Sequence, residues 1–405
     1  MNASSLTSRE RYLVAFRHEE PDRVPIFLES TPPLLYNQRV HWYTQFERAE
    51  VMLDLGCDPM INIWLPDAVV DPEVTIKTWR EKRSDGIYLG KEFHTPKGIL
   101  REVVEETPDW CDSLHGLWVQ RTLGTDMRED YGIHVYDDWA ISRRIEPWVK
   151  GREDLAKLPY IQQKPVQWQL DEWRHDAERA MEFAQKHDLL TMVRRTITND
   201  ATMWFCDIPW FMMQLYDDVE FVQEFLKIFE EVALWQTELA LQLKPDVLQH
   251  RGWYDGPNFW GGEHFERHVV PFLQKQAQMV HEAGALHCYL LTQGWGSYLD
   301  TFQQLKTDIL WGADPMQLGV GLAELKQRIG AQQVILGGIS SEAHLTRGSE
   351  EQTRAATREA IRALAPGGGY VFGSGSGVGG TNRWSNISAM IDEAQKVGQY
   401  PIMAT

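Results

Sequence analysis

The chain has 405 residues, of which 43% are hydrophobic and 24% are charged, so it can bury a sizeable core and is not globally disordered. Its 40 Lys and Arg residues against 58 Asp and Glu residues give a formal charge of −18, which argues against a nucleic-acid partner. No apolar run reaches the roughly 18 residues of a membrane span, and charges interrupt the N-terminus where an export signal would be apolar. We therefore expect a cytoplasmic protein with no membrane partner.

The first 150 residues predict an N-terminal elaboration with a helix, first strand units and β-hairpins. A predicted helix over 7–18 leads into EEPDRVPIFLES, where prolines precede an apolar strand. Residues 73–106 alternate apolar and polar side chains around the turn sequences DG at 85–86 and PKG at 96–98. This pattern predicts a meander of hairpins that is polar enough to lie outside the main core.

Residues 151–405 alternate strands and helices at a regular spacing. The predicted strands are LLTMVRRT, DVLQH, ALHCYLL, DILWGA, QQVILGGI and GYVFGS. The predicted helices span 217–243, 263–283, 296–306, 321–329, 349–364 and 384–397. Such alternation is typical of a parallel sheet, and the number of units favours a closed (β/α)8 TIM barrel over an open sheet. We therefore expect an α/β fold with a single barrel domain over residues 1–405.

Side chains at the C-terminal ends of the barrel strands are the first candidates for a functional site, because TIM barrels build their sites there. Most of these positions carry polar residues or residues framed by glycine. As substrate- or cofactor-binding candidates we take Glu29, Trp253, Asp314, Ser374 and Ser376. The tryptophan-rich stretches at 203–213 and 252–260 offer flat walls for an aromatic ligand, although core packing explains them equally well.

The glycine-rich stretch GSGSGVGG at 373–380 nominally matches a dinucleotide-binding fingerprint. That motif requires a following helix, a second strand and an acidic residue about 20 residues on, whereas here one helix follows and the chain ends. The stretch suits the last loop of a barrel, where backbone N–H groups receive an anionic group of a ligand. We expect substrate or anion binding rather than NAD binding.

The stretch GALHCYLLTQG at 284–294 places His287 beside Cys288 on a predicted strand. Neighbouring residues of a strand point to opposite faces, so these two side chains cannot converge on one metal ion. If His287 faces the open end of the barrel, Tyr289 shares its face and Cys288 packs behind them.

Several stretches resemble the uroporphyrinogen decarboxylase superfamily, and they follow one another in the expected order. They are RERYLVAFRHEEPDRVPI (9–26), FHTPKGILREV (93–103), EDLAKLP (153–159), HEAGALHC (281–288), APGGGYVFGSGSGV (365–378) and NISAMIDEAQKVGQY (386–400). The resemblance covers almost the whole chain and itself implies a (β/α)8 barrel.

The same resemblance implies one of two chemistries. True uroporphyrinogen decarboxylases continue after PDRVP into an arginine-rich stretch that binds the substrate carboxylates, whereas this chain places Glu29 where a cation is wanted. The segment TPKGILREV is more similar to the branch of corrinoid-dependent methyltransferases. Thiol-methylating members of that branch hold zinc through His-x-Cys and a later Cys, but here Ser376 falls about where the later Cys would be.

A second arrangement in the family, found in enzymes that demethylate methoxylated aromatics, resembles Glu…Glu…His. Glu266 precedes His287 by about the family's interval, while the first Glu falls at Arg251, so that Asp255 or His250 would have to replace it. Three alternatives stay open. Zinc binds Glu266, His287 and either Asp255 or His250, or Glu266 orients His287 in a metal-free site, or the two form a structural ion pair.

The resemblance therefore implies a corrinoid-dependent methyltransferase that takes a methyl group from a small donor, with a methoxylated aromatic as the preferred class. Because the chain has no DxHxxG stretch, we expect the cobalamin to arrive on a corrinoid-carrying partner protein or to bind loosely. A Lewis acid such as zinc, or a proton from His287 or Tyr289, would stabilise the departing oxygen, with Asp255 and Glu266 positioning that acid. The alternatives are a decarboxylase of a smaller carboxylate, a methylcorrinoid:tetrahydrofolate methyltransferase, and a catalytically silent barrel.

Overall fold

The computed structural model describes residues 6–29, 42, 44–105, 143–379 and 381–402. The chain is divided into two compact units. The first unit comprises Met1–Leu65, Arg174–Thr196 and Thr237–Thr405, and the second comprises Pro66–Trp173 and Ile197–Gln236. The prediction of a single domain over 1–405 depends on the arrangement of these units and stays a prediction.

Eight parallel strands of the first unit form the predicted barrel. In chain order they are β1 (Ile26–Phe27), β2 (Met60–Trp64), β7 (Leu190–Thr196), β8 (Val247–Arg251), β9 (Leu286–Leu290), β10 (Ile309–Ala313), β11 (Val334–Ile339) and β12 (Tyr370–Ser374), with β3 to β6 in the second unit. Their order in the sheet is β1-β12-β11-β10-β9-β8-β7-β2. The backbone N–H of Asp58, just before β2, donates to the carbonyl of Ile26 in β1 at 2.7 Å. The two ends of the sheet therefore meet, and the TIM-barrel prediction is confirmed.

Thirteen α-helices lie within the described ranges. They are α1 (Ser8–Phe16), α2 (Gln45–Asp54), α3 (Arg152–Leu155), α4 (Gln167–His187), α5 (Ala201–Phe205), α6 (Ile208–Asp217), α7 (Val219–Leu241), α8 (Gly261–His268), α9 (Val270–Glu282), α10 (Leu299–Phe302), α11 (Leu322–Ile329), α12 (Glu350–Leu364) and α13 (Trp384–Val397). Short 3₁₀ turns occupy Leu158–Ile161 and Trp295–Tyr298, and a π-helical turn occupies Ser341–Thr346. The helix predicted over 263–283 is two helices, because Pro271 near the start of α9 lacks the N–H that a continuous helix needs.

Local signals in the sequence explain where several helices begin. Thr7 and Ser349 precede α1 and α12, and each accepts a hydrogen bond from the backbone N–H three residues later. The side chains of Glu10 and Gln352 return the interaction to the backbone of Thr7 and Ser349. These reciprocal caps satisfy N–H groups that a helix start leaves without partners, so they fix the starts of both helices.

One hydrophobic core fills the interior of the barrel, because its members come from all eight strands. They are Phe27, Met60, Leu190, Met192, Val247, Cys288, Leu290, Ile309, Trp311, Val334, Leu336 and Val371, together with Tyr12 of α1. Members on the same strand are two residues apart, as the alternation of a strand requires. The parity of these residues therefore identifies which side chains of each strand point inward.

The motif at 9–26 has a structural role in this barrel. Asp58 is fully buried and accepts hydrogen bonds from the guanidinium groups of Arg11 and Arg23 and from the backbone N–H of Ile26. Arg11 also binds Asp22. These ion pairs attach the N-terminal segment to the start of β2. The charged side chains of Arg11, Asp22 and Arg23 therefore serve structural contacts and not ligand binding.

The second unit contains the predicted hairpins. Its antiparallel sheet has the order β3 (Thr75–Lys82), β4 (Ile87–Thr95), β5 (Gly98–Glu105) and β6 (Arg143–Glu146). Arg144 pairs with the buried Glu102 at 3.0 Å and donates to the carbonyls of Met203, Trp204 and Cys206. It thereby satisfies carbonyl groups at the end of α5.

None of the helices in the described part of the chain combines the length and the apolar character needed to cross a membrane.

Candidate active site

The C-terminal ends of the barrel strands form one end of the first unit, which we call the mouth. It includes Glu29 after β1, Trp64 and Arg251 at the ends of β2 and β8, Asp314 after β10, Ser340 after β11 and Ser374 at the end of β12. Three of the sequence candidates, Glu29, Asp314 and Ser374, are therefore placed at the mouth, and each is at most 8% exposed. Buried polar side chains at this end of a TIM barrel are typical of a ligand site.

An ion-pair cluster, the Arg194 cluster, links Glu29, Arg48, Arg194 and Gln249. The guanidinium group of Arg194 donates to one carboxylate oxygen of Glu29 and, through Nε, to Oε1 of Gln249 at 3.2 Å. The other Glu29 oxygen lies 3.7 Å from Nη1 of Arg48. Nη2 of Arg48 donates to the carbonyl of Met60 at 3.0 Å. Two buried guanidinium groups therefore lie beside one carboxylate.

Two tryptophan rings flank the guanidinium group of Arg194. Its central carbon lies 5.1 Å from the ring centroid of Trp64 and 4.9 Å from that of Trp311. Both distances fall within the range of a cation–π contact. Trp311 is buried, whereas Trp64 is 38% exposed, so the aromatic wall extends from the core to solvent.

Besides Oε2 of Glu29, four buried polar atoms on the barrel strands have no hydrogen-bond partner among the described residues. They are Oδ1 of Asn62, Nε2 of Gln249, Nε1 of Trp311 and Oγ of Ser374. A buried polar atom without a partner costs free energy, so such atoms are expected where a ligand completes the bonding. Two of the four are N–H donors that suit the oxygen atoms of a ligand.

The loop after β12 connects Glu29 with Asp314. A Cβ atom at Gly375 would lie only 2.7 Å from Cβ of Asp314, and one at Gly377 would lie 3.5 Å from the carbonyl oxygen of Glu29. Gly377 has a φ of +86°, which glycine adopts without strain, and the N–H of Val378 donates to the Glu29 carbonyl at 2.8 Å. The glycine-rich stretch therefore lets the backbone approach both acidic residues closely.

Asp314, Ser340, His344 and Ser374 form a second group at the mouth, the Asp314 cluster. The backbone N–H of Met316 donates to Oδ1 of Asp314 at 2.9 Å, and the Ser340 hydroxyl also binds this carboxylate. Burial raises the pKa of Asp314, while the bonds from Met316 and Ser340 and the nearby His344 oppose that rise. The backbone N–H of Ser340 donates to Nδ1 of His344 at 3.0 Å. Burial lowers the pKa of His344, so its imidazole favours the neutral form.

The orientation expected for His287 and Tyr289 is reversed. Cys288 and Leu290 belong to the core inside the barrel, so the residues between and before them point to the opposite face, toward the helices. Both faces of this strand are buried, and the sequence pattern therefore carries no sign of which face is inside.

His287 is fully buried in a hydrogen-bonded network on that outer face. Its Nδ1 lies 3.1 Å from the Thr307 hydroxyl and its Nε2 lies 3.1 Å from Oε1 of Gln276. Gln276 donates onward to the hydroxyls of Thr196 and Thr237. Burial lowers the pKa of His287 well below its ordinary value, so the ring is neutral and structural in this arrangement.

The expected zinc ligands do not converge. Glu266 is exposed on α8 and accepts a hydrogen bond from Thr301 at 2.9 Å, whereas Asp255 is buried and accepts one from the Tyr289 hydroxyl at 2.8 Å. His287 binds neither of them. Across the described ranges, no group of three or more His, Cys, Asp or Glu side chains could hold a metal ion. The set Glu266, His287 and Asp255 therefore does not fit zinc, and the ion pair of Glu266 with His287 is not formed either.

Two other sequence candidates lie close to the mouth. Trp253 packs against the edge of the core, and the guanidinium carbon of Arg251 lies 4.9 Å from its ring centroid. Ser376 is exposed between the two glycines of the loop after β12. Both positions agree with the expected location.

Arg194 and Gln249 are mouth residues that the sequence reading missed. On LLTMVRRT, the alternation runs through Leu190, Met192 and Arg194, and on DVLQHR it runs through Val247, Gln249 and Arg251. Each of these polar residues lies two positions after an inward-facing apolar residue of the same strand. That spacing is the sequence signal that identifies them as inward-facing. It was hidden because the strands were identified from their apolar content alone.

Comparisons with known proteins agree with this architecture. Residues 201–397, just under half of the chain, match the sequence model of the family described as uroporphyrinogen decarboxylase (URO-D). No curated protein sequence matches the chain significantly. A solved methyltransferase from Methanosarcina mazei is similar in fold over 97% of this chain and 99% of its own, with a TM-score of 0.53 and 13% sequence identity. The resemblance drawn from the motifs is confirmed over residues 201–397, which match the uroporphyrinogen decarboxylase family model.

Proposed function

We propose that this protein transfers a methyl group from a methoxylated aromatic donor to a corrinoid carried by a partner protein. The observation that carries the proposal is the aromatic and cationic wall formed by Trp64, Arg194 and Trp311. An electron-rich ring stacks well on tryptophan and on a guanidinium plane. The N–H donors of Gln249 and Trp311 match the oxygen substituents of such a ring.

The methyl transfer requires positive charge or N–H donors near the departing oxygen, and this wall provides them. When the methyl carbon–oxygen bond breaks, its electron pair stays on the oxygen and negative charge develops there. The guanidinium group of Arg194 lies in this wall, and its positive charge stabilises negative charge that develops on an oxygen beside it. Fixed donors of this kind stabilise charge without reorganising during the reaction.

The exposed apolar side chains at the mouth support an acceptor that approaches from outside. Trp64 is 38% exposed and Met316, two residues after Asp314, is 65% exposed. A flat, largely apolar group such as a corrinoid ring suits contacts of this kind. Since zinc does not fit the expected ligands, the proposed reaction assigns it no role.

The methyltransferase of Methanosarcina mazei supports the proposal only through its fold, because its sequence identity to this chain is 13%. A decarboxylase is the second candidate. The three buried arginines at or near the mouth, Arg48, Arg194 and Arg251, favour it. Arg48 and Arg194 nevertheless share Glu29, so they are partly neutralised and suit a polycarboxylate poorly.

The test is anaerobic incubation of the protein with chemically reduced cobalamin and a panel of methoxyaromatics, methylamines and methyl thioethers. We expect the absorbance of methylcobalamin to appear with the methoxyaromatics, and replacement of cobalamin by tetrahydrofolate to give no methyl product. Conversion with a different donor class would contradict the donor assignment. No conversion with any donor, while the cobalamin stays reduced, would favour the decarboxylase or a silent barrel.

A further inference from the structure

The methyl transfer proposed above lacks a proton donor, because His287 and Tyr289 face the helices. An aryl oxygen leaves far more readily as a neutral phenol than as an anion, so a buried acid at the mouth would accelerate the reaction. On the basis of the proposed function, we propose that Asp314 is the catalytic acid that protonates the departing oxygen, with Ser340 and His344 as positioning residues.

The location of Asp314 fits that role. It follows β10, whose Trp311 packs on Arg194, and it contacts the backbone of Gly375 in the loop that also contacts Glu29. Ser374, the last residue of β12, starts this loop, and its backbone leads directly to Gly375 beside Asp314. The acid therefore lies beside the wall that is proposed to bind the aromatic ring.

The hydrogen bonds around Asp314 hold its carboxyl group in one orientation. The N–H of Met316 fixes Oδ1, and the Ser340 hydroxyl, which accepts a hydrogen bond from the N–H of Ala343 at 3.2 Å, can donate its own proton to Asp314. Ser340 and His344 stand at the start of the π-helical turn Ser341–Thr346 and within it. Such turns recur at functional sites because they re-aim side chains.

The groups that set the protonation of Asp314 come from several elements. Burial between β10 and the loop after β12 favours the neutral acid, while the Met316 N–H, Ser340 and His344 favour the anion. The resulting pKa is raised above the ordinary value, as an acid catalyst requires. His344 is partly exposed and accepts a hydrogen bond at Nδ1, so the proton of its neutral imidazole is on Nε2.

The proposed step balances in atoms and electrons. The methyl carbon–oxygen bond breaks, the methyl group passes to the reduced corrinoid, and the electron pair of the new bond comes from that acceptor. The pair of the broken bond stays on the oxygen, which takes the proton of Asp314. The carboxylate then recovers a proton from solvent, and His344 is the partly exposed group placed to relay it.

The test compares the wild type with Asp314→Asn in single-turnover reactions with free reduced cobalamin and two donors. One donor releases a weakly acidic phenol, and the other is a cyano-substituted anisole that releases a more acidic one. Asparagine keeps the shape and the oxygen that accepts from Met316 but cannot give up a proton. We expect about a 100-fold loss for the weakly acidic phenol and less than about a threefold loss for the acidic one. The control is Asp300→Asn, which makes the same change at an 88% exposed side chain.

The pH profile separates an acid from a merely structural residue. The wild-type rate should fall as the pH rises through the pKa of Asp314, and this fall should be absent in Asp314→Asn. Ser340→Ala should move the fall to higher pH, because Ser340 stabilises the carboxylate. Equal losses with both donors, or an unchanged rate in Asp314→Asn, would overturn the role of Asp314 while leaving the proposed function intact. A wild type that demethylates neither donor would overturn both.

Discussion

Glu29 is the residue that compensates two buried guanidinium groups at the mouth. Its side chain is 10% exposed, and those of Arg194 and Arg48 are 7% and 4% exposed. Burial lowers the pKa of Arg48, and Glu29 opposes that change. Arginine nevertheless keeps its proton in proteins, so both cations need this carboxylate.

The change Glu29→Gln should therefore destabilise the protein strongly. It keeps the shape of the side chain but removes the carboxylate that the buried Arg194 binds, and breaking a buried pair in this way costs about 3–5 kcal/mol. The measurement is the free energy of unfolding in urea. Glu351→Gln is the matched control, because Glu351 is 77% exposed and its pair with Arg358 contributes little to stability. Equal stability of the two variants would contradict the role assigned to Glu29.

At the scale of elements, the loop after β12 brings the two clusters together. It leaves no room for a side chain at Gly375. Gly375 lies beside Asp314, and Gly377, two residues later, lies beside Glu29. The last strand and its loop therefore control the distance between the acid and the cationic wall. A small displacement of a reacting group is costly because proximity supplies much of an enzyme's rate.

A methyl group added at Gly375 should reduce activity far more than one added at Gly379. In Gly375→Ala the new atom would lie 2.7 Å from Cβ of Asp314, so the loop or Asp314 must shift. In Gly379→Ala no described atom lies within 4 Å of the added group. We expect about a 100-fold lower methyl-transfer rate for the first variant and a wild-type rate for the second. Full activity in Gly375→Ala would show that the loop does not position Asp314.

The elements themselves were largely predictable from the sequence. The strands β7 to β12 and the helices α12 and α13 lie within a residue or two of their predicted spans, and α12 begins at its capping signal. The face of β9 was not predictable, because His287, Cys288 and Tyr289 are all buried, so burial does not distinguish inside from outside. The positions at strand ends were enough to predict Glu29, Asp314 and Ser374 as mouth residues. Arg194 could be predicted only once the inward-facing residues of the strands were known.

At the scale of the whole molecule, two buried neutral histidines link stability to pH. Burial lowers the pKa of His250 to about 3 and that of His287 well below its ordinary value. An unfolded histidine has a pKa of about 6.5, so between these values the unfolded chain binds protons that the folded chain does not. Stability is therefore fully present above about pH 6.5 and is lost as the pH falls.

The free energy of unfolding should fall below pH 6.5 by up to about 1.4 kcal/mol per pH unit for each of these histidines. Urea unfolding between pH 7.5 and 4.5 measures that slope. His250→Gln should make the slope shallower, because one of the buried histidines, which also include His268 with a pKa lowered by burial to about 4, no longer titrates. His175→Gln, at an exposed position of α4, should leave it unchanged. A slope that His250→Gln does not alter would show that His250 is not held neutral.

The central claim is that the mouth of this barrel transfers a methyl group rather than releasing carbon dioxide. The most direct measurement uses a methoxybenzoate labelled with ¹³C at the methoxy carbon and with ¹⁴C at the carboxyl carbon, incubated anaerobically with the wild-type protein and reduced cobalamin. We predict ¹³C in methylcobalamin, a demethylated phenol that retains its ¹⁴C, and no labelled carbon dioxide. Release of ¹⁴C-labelled carbon dioxide with the methoxy group intact would contradict the claim and identify a decarboxylase instead.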